Sequence, residues 1–225
     1  MNNEELKQIH LGREQIYYML GNIFIDVPNE EMYKNIETLL PSFKLMAEDD
    51  EILNDGINGL EKFLNLRDEK EGEEKVKFDN DVLSNFTRIY CLSDSVPTTE
   101  SVYVSPEKLS NQEVTGIVSK LQNQYGFIIK NESNEGSDHI SYELYFLGHL
   151  SSMTANYIEA GNVDMALNIQ LVQKNFLEEH LLKWANLFTK ATLGYSESAY
   201  FYAPACYTLL GFLEVDRGFL EDISK

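Results

Sequence analysis

Apolar residues recur along this chain at the three- and four-residue spacing of amphipathic helices, and almost nowhere at the two-residue spacing of strands. Leu6, Ile9, Ile16, Leu20 and Ile23 draw a first helical stripe, which Pro28 closes. Asn29 caps a second helix, expected to end at Leu40-Pro41 because proline disfavours continuation of a helix. Asp49 or Asp50 starts a third, with Ile52, Leu53, Ile57, Leu60, Phe63 and Leu64 on one side. Arg67 to Asn80 is mixed in charge and poor in apolar groups, and reads as an exposed connection within one domain. Val82, Leu83, Phe86, Ile89 and Tyr90 mark a fourth helix, which runs into a long uncapped loop from Leu92 to Ser105. Loops of that length in helical proteins tend to carry function.

Ser110-Asn111-Gln112-Glu113 has the form of a capping box ahead of Val114, Ile117, Val118, Leu121 and Tyr125, with Gly126 as the stop. Phe127-Ile128-Ile129 is the only β-like run and is too short to found a sheet; a polar loop, Asn131 to Gly136, comes next. Ile140, Leu144, Leu147 and Tyr157-Ile158 predict a helix closed by Gly161. A longer one runs from Asn162 through Ala166, Ile169, Val172, Phe176, Leu177, Leu181, Trp184 and Phe188 to Gly194. Ser196 then caps a last apolar helix in which Pro204 either kinks the ladder or sits in the first turn. The expected fold is all-α: residues 1–225 as a single globular bundle of about 8–10 helices, with an exposed charged connection near 67–80.

Composition narrows the class. The 225 residues hold 18 basic and 37 acidic side chains, a net charge of −19, with 43% hydrophobic residues. That hydrophobic content supports a core and excludes an acidic disordered tail. The acid excess argues against nucleic acid or an anionic membrane as partner and favours a cationic one. The uncharged stretch Ser198–Leu213 is shorter than a membrane span and contains Pro204, so no stable membrane insertion is expected. Met1-Asn2-Asn3-Glu4-Glu5 lacks the features of a secretory signal, and Cys91 and Cys206 form no framework, which together point to the cytoplasm. Cys91 reads as a small buried hydrophobe.

Catalytic patterns are missing. There is no phosphate-binding loop, GxGxxG, GxSxG or HExxH, and the four histidines lie on different segments without metal-ligand spacing, so no cofactor and no metal is expected. Ser137-Asp138-His139 holds three triad residue types, but contiguous side chains diverge where a triad must converge. Ser137 or Asp138 instead reads as the cap of the next helix. His139 and Glu143, four residues apart, place an imidazole and a carboxylate on one face of that helix, which can line a site. His180, Trp184 and Phe188 share another face and read as core.

Taken in order, these segments resemble the TorD/DmsD family of cytoplasmic chaperones for molybdenum enzymes. The residues that carry the resemblance are Arg13, Tyr17 and Leu20, then Phe86-Thr87-Arg88-Ile89-Tyr90, Pro97 and Glu100-Ser101-Val102-Tyr103. Asp138-His139 opening a helix with Glu143-Leu144, the His180-Leu181-Leu182-Lys183-Trp184 stretch with Phe188, and an aromatic last helix complete it. The chain departs from the family at Ser137, where a proline is usual two residues before the histidine, and at Leu92-Ser93, where Gly-Pro is usual. The resemblance implies a non-enzymatic protein. Its partners would be the twin-arginine signal peptide and the apoprotein of a molybdopterin oxidoreductase, whose export waits on cofactor insertion. Position matching assigns Ile89, Tyr90, Pro97, Glu100, Ser101, Tyr103, Asp138, His139 and Glu143 to the peptide-binding neighbourhood. Ile89 and Tyr90 would supply apolar contact, Glu100 and Asp138 acceptors for arginine, and His139 a hydrogen-bonding group.

Three other readings compete: a NarJ-like chaperone of a membrane-bound nitrate reductase, a metal-dependent helical enzyme, and a helical adaptor for some other basic partner. Both a monomer and a dimer that exchanges elements are compatible with the sequence.

Overall fold

The computed structural model describes residues 2–47, 50–129 and 135–223. Among them the chain is all-α, with no strand and one isolated antiparallel bridge, between Thr99 and His139. Helix α1 (Asn3–Ile25) buries Ile16, Tyr17, Leu20 and Ile23. Helix α2 (Glu30–Met46) starts where expected, the Asn29 side chain accepting the Met32 N–H at 3.0 Å. It does not end at Pro41. Phe43 continues the buried stripe of Ile36 and Leu40 while Pro41 faces solvent, so burial outweighs the one lost ladder bond.

Helix α3 (Glu51–Asp68) is capped by Asp50, which accepts the Leu53 N–H at 2.7 Å; Asp49 lies outside the described residues. Ile52, placed on the apolar side by the sequence, is exposed, because it sits one residue out of phase with the buried Leu53, Ile57 and Leu60. The charged stretch 67–80 is mostly helix, not an open connection: α4 spans Gly72–Phe86. Glu73 and Glu74 in its first turn suit the helix dipole. Arg67 is buried, donating to Asp79 and Glu30, with its guanidinium 4.3 Å from the Tyr33 ring centroid. A π-helical turn, Thr87–Cys91, continues α4, and the phase shift of this wider turn leaves Cys91 exposed, against expectation.

The loop after Cys91 is shorter than expected, because Glu100–Val104 forms a helix, α5. Helix α6 (Glu113–Gln124) lacks the expected capping box. Asn111 turns through positive φ, and Gln112 occupies the cap position without a side-chain capping bond, its amide donating instead to the Ser110 carbonyl. Ile117 is exposed, whereas Val118 and Gln122 are buried. Most of the polar loop expected after residue 129 (131–134) lies outside the described residues. Helix α7 (Ile140–Glu159) ends before Gly161, at φ +71, where a side chain would be strained.

The long helix after Asn162 is present but interrupted. It consists of α8 (Val163–Phe176), a π-helical turn (Leu177–Leu181) and α9 (Leu182–Leu193). Ser196 begins a 3-10 turn rather than the last helix, α10 (Tyr202–Asp222), and Pro204 sits in the first turn of α10, where its missing N–H costs nothing. Among the described residues, no helix is long and apolar enough to cross a membrane.

These elements form two compact units. The second takes in Ile25–Thr98 and Ala185–Val215. Its core is aromatic, with Phe63 and Phe201 centroids 4.8 Å apart and Tyr33 edge-on to Phe201. The first takes in the chain to Phe24, Thr99–Trp184, and the chain from Asp216. There α7 packs along α8 over Phe146, Leu147, Leu150 and Phe176.

A buried polar network also ties the first unit together. Arg13 donates to both oxygens of Asp216, through Nε and, at 2.8 Å, through Nη2. The Tyr17 hydroxyl donates to Asp216 at 2.6 Å. Arg13 Nη1 reaches His10 Nδ1 at 2.7 Å and Ser151 Oγ at 3.1 Å, so α1, α7 and α10 share one charge pair. Burial, helped by the Arg13 charge, lowers the His10 imidazole to about 3, and its Nδ1 is thereby left free to accept. Asp216→Asn should cost about 3–5 kcal/mol in urea unfolding, since it strands the Arg13 guanidinium out of water. A loss below about 1 kcal/mol would show that Arg13 finds water instead.

Candidate functional site

The site begins at a helix with no cap of its own. Helix α5 starts after Thr99, whose side chain makes no capping bond, so the free N–H groups of its first turn need acceptors from elsewhere. Asp138 supplies them. Its backbone carbonyl accepts the Glu100 N–H and its carboxylate Oδ2 accepts the Ser101 N–H, each at 2.9 Å. The Thr99–His139 bridge runs alongside. Asp138 therefore caps α5, not its neighbour α7, as the sequence had suggested.

His139 caps α7 instead, its Nδ1 accepting the Ser141 N–H at 3.2 Å. Only a neutral ring with its proton on Nε2 can accept there. Burial provides that state, lowering the imidazole to about 4.

Docked in this way, α5 delivers Glu100 inward. His180 Nδ1 lies 2.8 Å from Glu100 Oε2, and both side chains are buried. His180 sits in the π-helical turn Leu177–Leu181, a geometry that re-aims side chains without ending a helix. Four residues on, the Trp184 indole N–H donates to Glu143 Oε2 at 3.1 Å. Glu143 is fully buried, and burial together with the facing Glu100 carboxylate holds its carboxyl well above the usual carboxylate range. On the outer side, the half-buried Tyr103 ring stacks on Trp184, with centroids 5.4 Å apart and planes at 27°. Four buried oxygens in these same residues lack a hydrogen-bond partner: Ser101 Oγ, Asp138 Oδ1, Ser141 Oγ and Glu143 Oε1.

Of the residues singled out from the sequence, Glu100, Ser101, Tyr103, Asp138, His139 and Glu143 thus belong to one neighbourhood in the first unit. Ile89, Tyr90 and Pro97 belong to the second. There Ile89 is wholly buried in the π-helical turn, and its carbonyl accepts the Val96 N–H at 2.8 Å. Tyr90 stacks on Phe188 at 6.0 Å and meets Tyr202 edge-on at 5.4 Å. Pro97 is exposed. The sequence placed His180 and Trp184 in the core, where both lie, but an aromatic stripe at helical spacing did not show that they meet Glu100 and Glu143. The signal that separated them was their polar atoms, which a buried environment must satisfy.

Similarity to known proteins covers most of the chain. The family model described as nitrate reductase delta subunit matches residues 47–190. A chaperone protein TorD of Aliivibrio salmonicida is 27% identical over 219 residues, covering 96% of this chain and 98% of its own. One from Vibrio cholerae is 25% identical, covering 98% and 97%, and one from Aliivibrio fischeri is 28% identical, covering 96% and 98%.

The His139 ring yields a signed pH prediction. The unfolded chain takes up a proton near pH 6.5 but the folded site only near 4, so this residue removes stability as pH falls between the two. At pH 5 its share of the loss should be about 2 kcal/mol. In urea unfolding at pH 7 and pH 5, His139→Gln should lose less stability than the parent by that amount. Equal losses would place the ring in water.

Proposed function

The chain belongs to the TorD/NarJ family of chaperones that the nitrate reductase delta subunit model describes, and from that premise we propose what it holds. It acts in the maturation of a molybdopterin-dependent oxidoreductase, binding the twin-arginine signal peptide and the apoprotein. Cofactor insertion then precedes export. The observation that carries this reading is the cap of α5 by Asp138, through which two sequence motifs distant in the chain, Glu100–Tyr103 and Asp138-His139, become one site. Near-full-length similarity to three proteins named as TorD chaperones supports the same reading.

The chemistry of such a peptide suits the protein. A twin-arginine signal joins a cationic segment to an apolar one. A net charge of −19 concentrates the first near the surface. The half-buried Tyr103 on Trp184 offers an aromatic face, on which guanidinium stacks better than ammonium does. Glu100 and Asp138 are too deeply buried to meet arginine without movement, so in this proposal they hold α5 in place and supply negative potential beneath it. Tyr90 and Pro97, in the second unit, are separate candidates for apolar contact.

Calorimetric titration with the signal peptide of a molybdoenzyme encoded beside this gene, against a twin-lysine control, tests the proposal. The arginine peptide should bind, the lysine form at least about tenfold more weakly. Asp138→Ala should weaken binding of the arginine form by at least about tenfold while leaving the helical circular dichroism intact, because α5 loses its side-chain cap. Binding of neither peptide would overturn the signal-peptide reading and move the client to a mature apoenzyme of the NarJ type.

A further inference from the structure

Glu100, Glu143 and His180 come from three different elements, α5, α7 and the second π-helical turn, and meet out of water. Each offers one ligand atom, and these atoms all lie within 4.8 Å of one another. We infer that this cluster is a binding site for a divalent transition-metal cation, held by one carboxylate oxygen each from Glu100 and Glu143 and one imidazole nitrogen of His180. The inference goes beyond the chaperone reading and stands whether or not the client carries a signal peptide.

Three observations support it. The first is geometric. Donors on one Zn2+ at bond lengths of about 2.0–2.2 Å sit roughly 3–4 Å apart, a separation that small side-chain rotations give from the present positions. The second is an orphaned acceptor. Trp184 occupies Glu143 Oε2, which leaves Oε1 wholly buried without a partner beside Glu100. The indole N–H then does for Glu143 what outer hydrogen bonds do for metal-bound carboxylates, fixing which oxygen faces the cation. The third is charge. Two carboxylates and a neutral imidazole around a divalent ion sum to zero, the only net charge that is cheap to keep so far from water. An imidazole among the donors favours Zn2+, Fe2+ or Ni2+ over Mg2+, Ca2+ or Mn2+.

The role such an ion fits is structural. It would join α5 to α7 and to the α8–α9 turn at the base of the site, its fourth position taken by water or by a second carboxylate oxygen, in a place too buried to admit a substrate.

The test uses the full chain, stripped with a chelator and titrated calorimetrically with Zn2+ alone. One equivalent should bind, with a rise in melting temperature. Glu143→Gln and His180→Gln should each weaken binding at least about tenfold, while Glu73→Gln, an exposed acid on α4, should not. X-ray absorption of the Zn2+-loaded parent protein decides the matter even if those variants fold poorly. An oxygen and nitrogen shell with imidazole scattering supports the site. An all-oxygen shell would place the ion on surface acids, and sulfur would place it on Cys91; either overturns the inference. So would the lack of saturable binding, which would leave the cluster as a hydrogen-bonded group only.

Discussion

Three carboxyl groups, those of Glu100, Asp138 and Glu143, are carried out of water in a chain that already has a net charge of −19. An unpaired buried carboxylate is so unfavourable that the surrounding structure must answer each one. Asp138 is met by the backbone N–H of Ser101, Glu100 by His180, and Glu143 by Trp184, with burial and the facing Glu100 holding its carboxyl well above the usual carboxylate range. Those answers position α5. A five-residue helix has too few internal hydrogen bonds to persist alone, so its place comes from the groups that cap and anchor it.

Both π-helical turns lie under residues that matter to this reading. Thr87–Cys91 carries Ile89 and Tyr90, and Leu177–Leu181 carries His180. A wide turn gives up regular hydrogen bonding and shifts the phase of the residues beyond it, and such turns are concentrated at functional positions. In the second case the effect is concrete: His180 faces Glu100, and the resumed α9 still presents Trp184 to Glu143.

In the function proposed for this protein, its charge and the chemistry of the site would divide the labour of recognition. A strongly acidic surface raises the rate of encounter with a cationic segment, and salt screens that effect. Discrimination between arginine and lysine has to come from planar stacking and bidentate acceptors at short range. Glu100 and Asp138 are buried, so in that proposal they belong to the framework of the site rather than to its outer surface.

Much was legible in the sequence. Helical spacing located the major helices. Asn29, Asp50 and Asn162 capped where their side-chain chemistry indicated, and Gly126 and Gly161 ended helices at positive φ. These are local properties, settled within one or two turns of chain. The order of motifs also identified the family. What the sequence misjudged was non-local. Pro41 stayed inside α2 because Phe43 is buried, and the 67–80 stretch became helix around a buried Arg67. Asp138 capped a helix far from it in sequence instead of its neighbour, and His180, in the aromatic core as expected and stacked on Phe176, also meets Glu100. In each case the deciding partner lies many residues away. Which donors and acceptors meet was therefore set by tertiary packing, through the cost of leaving any of them unpaired out of water.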